Sequence, residues 1–244
     1  MKRNSASCAM LRWMEESGRI TKKVVSFFYI KTFDGNVAKY LNFAALKKTI
    51  MEYDVEEINR LIRSRRSVFP KQYAEGQKVD DDIVTQILEN ATWAPNHGQT
   101  EPWKFVVFTG EGLQKLASFQ AALYKKEAGD NFKEATYQNL LNNPLKASHV
   151  IALCLKRDPN KKFPEQEEIA AVSCAVQNMY LTTAAYGLGG YWTTGGVTYK
   201  SSAKEFFGLG EDDKLLGFFY LAHVAVPSPD SKRKPLNEKV EWVR

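Results

Sequence analysis

The chain has 244 residues, 44% of them hydrophobic and 12% aromatic, which suffices for one substantial core in one domain or at most two. A net charge of +6 invites a nucleic-acid or anionic-membrane partner, yet residues 1–50 carry ten Lys or Arg against three acids, while residues 51–244 carry 24 against 25. The basicity therefore belongs to the leader, which argues against a nucleic-acid-binding body, and no apolar run approaches the ~20 residues of a membrane span.

Cys8, Cys154 and Cys174 are odd in number and far apart, with no CxxC pair. No disulfide framework follows, and a reducing, cytoplasmic setting is expected. Cys154 and Cys174 both read as buried thiols. The N-terminus lacks the order of a secretory signal, and Glu15–Glu16 with no sustained amphipathic pattern argue against a transit peptide. Residues 1–50 are expected to be a basic extension outside the core domain, which spans 51–244.

The first domain helix follows Asp54, a capping residue with Glu57 three positions on as in a capping box. Val55, Ile58, Leu61 and Ile62 form its apolar stripe. A second helix is predicted from Asp81 or Asp82 to Trp93, burying Ile83, Val84, Ile87, Leu88 and Ala91. Ala94-Pro95-Asn96-His97-Gly98 ends it. Lys104–Thr109 reads as a strand, Leu113–Lys126 as a helix, and Ala128–Lys146 as helical pieces and loop over a site. Ser148–Leu155 is a buried strand. From Glu167 to Tyr186 runs a helix that is apolar nearly all round, and Gly187 is placed to stop it. Gly190–Thr194 reads as a short strand, Ala203–Phe207 as a short helix and Leu215–Val226 as a long strand. The tail closes on an alternating Val240-Glu241-Trp242-Val243. Irregular interleaving of helices and strands points to an α+β, three-layer sandwich.

Three clusters carry chemistry. Ser64-Arg65-Arg66-Ser67 offers two guanidiniums and a hydroxyl suited to a phosphate, although basic residues also gather at helix C-termini for electrostatic reasons. Trp93 to Trp103, with Asn96, His97 and Gln99 between, can clasp a flat heteroaromatic ring; it reads equally as a helix-ending turn. Tyr186 to Gly196 holds five glycines and lets backbone approach a ligand. Its helix-then-strand order excludes a Rossmann fingerprint, and no Gly-Lys-Ser/Thr follows for a P-loop. Ser231-Lys232-Arg233-Lys234-Pro235 adds a second basic cluster, or a solvated tail.

In order, Ser64–Val68, Ala94-Pro-Asn-His97, Pro102-Trp-Lys-Phe105, Gly187–Gly195, Gly217-Phe-Phe-Tyr-Leu221 and Lys232–Pro235 resemble the nitroreductase family of flavoproteins, over about Val55 to Val243. The resemblance implies a mainly antiparallel sheet flanked by helices, in a homodimer with exchanged C-terminal tails and shared active sites. It implies FMN, with Arg65, Arg66 and Ser67 at ribityl and phosphate and Lys232 and Arg233 closing from the tail. Trp192, Thr193 and Thr194 would run past the isoalloxazine, and Trp93 and His97 would reach it from the partner subunit. The long helix would supply a dimer contact. The implied activity is ping-pong reduction, by NAD(P)H, of nitroaromatics, quinones or related electron-poor acceptors, with hydride chemistry on the flavin and no catalytic side chain or metal required. Many members carry Lys or Arg where this chain has Phe69; either Lys71 or another donor compensates, or the flavin is harder to reduce. A reductive dehalogenase-like relative and a non-catalytic flavin-binding protein are the alternatives.

Overall fold

The computed structural model describes residues 53–244. The basic leader, Cys8 and the expected boundary at Met51 lie outside the described residues. The polypeptide divides into units Met1–Tyr53 and Asp54–Arg244, and every element below belongs to the second.

Helix α1 spans Val55–Ser64. Asp54 caps it, accepting from the backbone N–H groups of Glu56 and Glu57 at 2.9 and 3.2 Å. The reciprocal half of the expected capping box is missing, because the Glu57 carboxylate pairs with Arg60 instead. The stripe also behaves differently from its pattern: no residue of α1 is buried, and Val55, Ile58 and Ile62 stand exposed. Helix α2 spans Asp81–Thr92 and sinks Val84, Ile87 and Ala91, as its period requires.

The sheet has the order β1-β2-β4-β3, antiparallel throughout, with β1 Trp103–Thr109, β2 His149–Leu155, β3 Gly189–Thr193 and β4 Lys214–Ala222. Every residue of β2 is buried, which explains its unbroken apolar run. Alternate residues feed two cores. Val150, Ala152 and Cys154 join Phe218 and Tyr220 against Leu113 and Leu116 of helix α3 (Glu111–Glu127). Ile151 and Leu153 join Phe219 and Leu221 against α2 and helix α5 (Glu165–Ala185). Helices on both sheet faces make the α+β layering expected from the sequence. Cys154 is sealed in the first core, where burial pushes its thiol up to about 12 and leaves it inert.

Several elements depart from their patterns. Ala128–Lys146 is more regular than expected: after a 3-10 turn at Gly129–Asn131, helix α4 runs Glu134–Lys146 and packs on α3. The short helix expected at Ala203–Phe207 is instead two 3-10 turns, Ser201–Ala203 and Glu205–Phe207. Strand β4 stops at Ala222, short of Val226, because the following backbone leaves the sheet and bonds to Gln72 and Ala74. Val240–Val243 forms no strand and lies exposed, with no neighbour among the described residues to pair it. Cys174, expected to be buried, is exposed: α5 turns Ala171, Val172, Ala175, Val176 and Met179 inward, and position 174 falls on the opposite face with Ala170 and Gln177. Gly187 does end α5, in the left-handed region at φ +69°. Its N–H reaches Ala184 O while that of Leu188 reaches Thr183 O, a Schellman closure.

Candidate functional site

Arg65 ends α1 with an extended backbone, and the chain then runs along the open edge of β3. Val68 N–H donates to Gly190 O at 3.0 Å, and Ser67 forms a parallel bridge with Gly190. Two clusters 120 residues apart thereby become neighbours. The join is tightened by a side chain that sequence reasoning passed over. Tyr180, buried on α5, takes the backbone N–H of Trp192 on its hydroxyl at 2.7 Å, and that hydroxyl also meets Ser67 Oγ at 3.4 Å. The Arg65 guanidinium lies 4.8 Å from the centre of the Tyr180 ring, a cation–π distance. The ring is held edge-on by Phe219, 4.9 Å away. Position 180 falls with Val176 and Thr183 on the buried face of α5, so the available signal was a lone tyrosine hydroxyl among apolar neighbours.

Trp192 is fixed at its other end. Its indole Nε1 donates to Leu216 O at 3.0 Å. Leu216 is an extra residue in β4, since Leu153 pairs with Gly217 and Cys154 with Leu215, and such a bulge bends the strand locally. Gly217 is required there: at φ +126°, a Cβ would lie 2.4 Å from Thr193 O and 2.7 Å from Trp192 Nε1. Thr193 ends β3, and Thr194 follows it, exposed.

Arg66 points into a cavity of about 510 Å³ lined also by Ser67, Phe69, Lys71 and Gln72 on one wall and Val226–Ser231 on the other. Its guanidinium is largely enclosed, donating to Arg63 O, Arg65 O and Pro229 O, with the fully exposed Asp230 at 3.6 Å. Gln72 clamps the two walls together. Its Oε1 accepts from Phe69 N–H at 3.0 Å, while Nε2 donates to Val226 O and Ser228 Oγ, both at 3.1 Å. Phe69 leans on Tyr191, ring centres 4.7 Å apart, and Lys71 stands in the turn beside it.

Among the described residues, none of the remaining expected site residues bonds to Tyr180 or Arg66. Trp93 caps the end of α2, 85% exposed. His97 lies in a 3-10 turn and pairs with Glu167 in the first turn of α5, Nδ1 to Oε2 at 2.6 Å. Glu167 and Tyr180 are thirteen positions apart on that helix, about 20 Å along its axis. Lys232 and Arg233 are exposed in the tail, and the Arg233 guanidinium bonds only locally, to Ser231 Oγ and Lys232 O. Within one chain, then, Arg65, Ser67 and Trp192 meet at Tyr180, Arg66 lines the cavity beside Ser67, and Thr193 and Thr194 follow Trp192 in sequence, while His97 pairs with Glu167 and Arg233 bonds Ser231 on the cavity's other wall. Among the described residues no His, Cys, Asp and Glu cluster could hold a metal, and no helix is long and apolar enough to cross a membrane.

Known proteins resemble this chain in sequence and fold. YdjA of Escherichia coli K12, provisionally named an NAD(P)H nitroreductase, is 33% identical over 161 residues, covering 66% of this chain and 85% of YdjA. YfhC of Bacillus subtilis 168, provisionally named likewise, is 28% identical over 180 residues, covering 73% of this chain and 90% of its own. The crystal structure of a nitroreductase-like family protein from Bacillus cereus superposes with a TM-score of 0.66 at 27% identity, covering 80% of this chain and 98% of that one. A nitroreductase fold from Desulfovibrio desulfuricans, solved in complex with FMN, reaches 0.60 at 23% identity, over 79% and 99% of the two chains. The nitroreductase family model matches residues 62–223, from the last turn of α1 through β4, the stretch that builds the Tyr180-centred group. This chain belongs to the nitroreductase family.

Proposed function

We propose that the protein is an FMN-dependent oxidoreductase that uses NAD(P)H to reduce nitroaromatics, quinones or related electron-poor acceptors. The observation that carries this reading is the convergence of Arg65, Ser67 and the Trp192 backbone on Tyr180. The donor set fits FMN. Among the described residues Arg65 has no acidic partner, and Arg66 has only backbone carbonyls and one solvent-exposed carboxylate. Two preset guanidiniums beside a hydroxyl match a phosphate's demand for directed cationic donors. The Desulfovibrio protein with this fold binds FMN, and YdjA and YfhC are named for NAD(P)H chemistry.

Bound FMN would supply the two-electron chemistry; the chain binds, orients and shields it. Arg65, Arg66 and Ser67 take the ribityl phosphate, and Trp192, Thr193 and Thr194 run beside the ring. Lys71 lines the same cavity as Phe69 and Arg66, which favours it as the cation that replaces the family's usual Lys or Arg at position 69. NAD(P)H and acceptor would bind in turn beside these residues.

The site is completed by a second copy. His97 pairs with Glu167 at the far end of α5 from Tyr180, and by the family resemblance it and the exposed Trp93 serve the partner's flavin, with Lys232 and Arg233 closing on the phosphate from an exchanged tail. Three wet apolar features support a dimer: the α1 stripe of Val55, Ile58 and Ile62, the outer face of α5 at Ala170 and Cys174, and tail residues Leu236, Trp242 and Val243. Residues 1–50 stand outside this function, and a cytoplasmic enzyme is expected.

The test is direct. Purified protein should be yellow, release FMN in a 1:1 ratio to chain, run as a dimer, and oxidise NAD(P)H in the presence of a quinone or nitrofuran. A colourless protein that takes up no added FMN would overturn the reading. Flavin-loaded protein that never oxidises NAD(P)H would leave only a binding protein.

A further inference from the structure

His97 is an exposed ring held at one edge and on one face. Its side chain is 61% accessible, yet Nδ1 sits 2.6 Å from Glu167 Oε2. One face stacks on Phe163, ring centres 3.7 Å apart and planes 26° from parallel. The stack depends on the next residue having no side chain, because a Cβ at Gly98 would lie 2.3 Å from Phe163 Cε2. The backbone is braced as well: Asn96 Oδ1 accepts from Glu101 N–H at 3.0 Å, and Thr100 Oγ1 donates to His97 O at 3.3 Å. Exposed ion pairs add little to stability, so this degree of restraint on a solvent-facing imidazole is out of proportion to any structural return. What it does achieve is orientation. An ionised carboxylate is an acceptor only, so Glu167 keeps a proton on Nδ1 and turns Nε2 outward as the ring's free edge.

We infer that Glu167, with Phe163 as backing plate, is a positioning residue that sets the tautomer and pose of His97 so that Nε2 is presented to the partner subunit's FMN. This rests on the reading that His97 contacts that flavin. Glu167 itself touches no cofactor; it acts through the imidazole, as an outer-shell carboxylate does for a ligating histidine.

The full chain holds three histidines, so imidazole nitrogen signals resolve readily by long-range 1H–15N spectroscopy, with His97→Gln identifying its own set. In flavin-free protein the Nδ1 proton of His97 should be seen in the wild type, be retained in Glu167→Gln, whose carbonyl still accepts, and be lost in Glu167→Ala. FMN titration should give a dissociation constant raised on the order of tenfold by His97→Gln and by Glu167→Ala, the scale of one orienting hydrogen bond to a charged group. Glu167→Gln should restore most of that loss. If His97→Gln binds FMN like the wild type, the flavin-contact reading fails and this inference with it. If His97→Gln weakens binding while Glu167→Ala does not, or if Glu167→Ala leaves the Nδ1 proton in place, the contact stands and the positioning role is overturned.

Discussion

The two ends of α5 are built on different plans. At Tyr180 the helix is buried, and one hydroxyl ties Ser67 to the Trp192 backbone within a single chain. At Glu167 it is open, and the neighbouring side chains are His97 and a half-exposed Phe163, with Trp93 nearby in sequence and bare to solvent. The first end ties its tyrosine hydroxyl to groups of the same chain; the second fixes the direction of a side chain whose free edge meets no hydrogen-bond partner among the described residues. On the dimeric reading proposed here, the contrast separates residues that a chain needs in order to fold from residues that need a second copy to have a use.

Four measurements break or sharpen this contrast, taken from the largest expected change in stability downward. Phe219→Ala removes a side chain with no exposed surface that seats the Tyr180 ring, and should cost about 3–5 kcal/mol in denaturant unfolding. Tyr180→Phe keeps the packing but leaves Trp192 N–H without its acceptor, a loss of about 1–3 kcal/mol, and should weaken FMN binding at least as much as His97→Gln. If Tyr180→Phe is as stable as the wild type, the hydroxyl is not the link argued above.

The third concerns acid. His149, buried at the start of β2, bonds Ser148 Oγ at 2.9 Å and Asp81 Oδ1 at 3.0 Å, and burial outweighs the Asp81 carboxylate to hold its pKa below the ordinary histidine value. With the folded value depressed, the unfolded chain binds more protons in the interval between the two, so this contribution is intact above about 6.5 and drains away as pH falls below it. Thermal unfolding followed from pH 8 to 5 should show that loss, and His149→Gln should flatten it. The smallest stability change belongs to deletion of residues 232–244, all exposed in the chain: the melting temperature of flavin-free protein should barely move, whereas FMN retention should fall sharply. A truncated chain that stays yellow would remove Lys232 and Arg233 from the site.

What the sequence disclosed follows the same division. Elements whose partners lie in the same chain were readable: β2 from its apolar run, α2 from its period, the end of α5 from Gly187. The α1 stripe has the right spacing for burial and finds no covering surface among the described residues, so periodicity alone misjudged its exposure. Cys174 was misplaced for a different reason: α5 is apolar on average, and only the strict 3–4 spacing of Ala171, Val172, Ala175 and Val176 separates inside from outside. Tyr180 was invisible because its role depends on groups more than a hundred residues away on one side and a strand edge on the other. Glu167 was hidden likewise, seventy residues from the histidine it holds.

The contact between Ser67 and Gly190 has a further effect, on solubility. Strand β3 is the last in the sheet, and such a border offers unpaired amides to any passing strand. The segment Ser67–Val68 lies along it and takes up Gly190 O, so the approach to the site also acts as a guard rail. Trimming the N-terminus as far as α1 should be harmless to the border, whereas trimming past Val68 should yield protein that self-associates through β3.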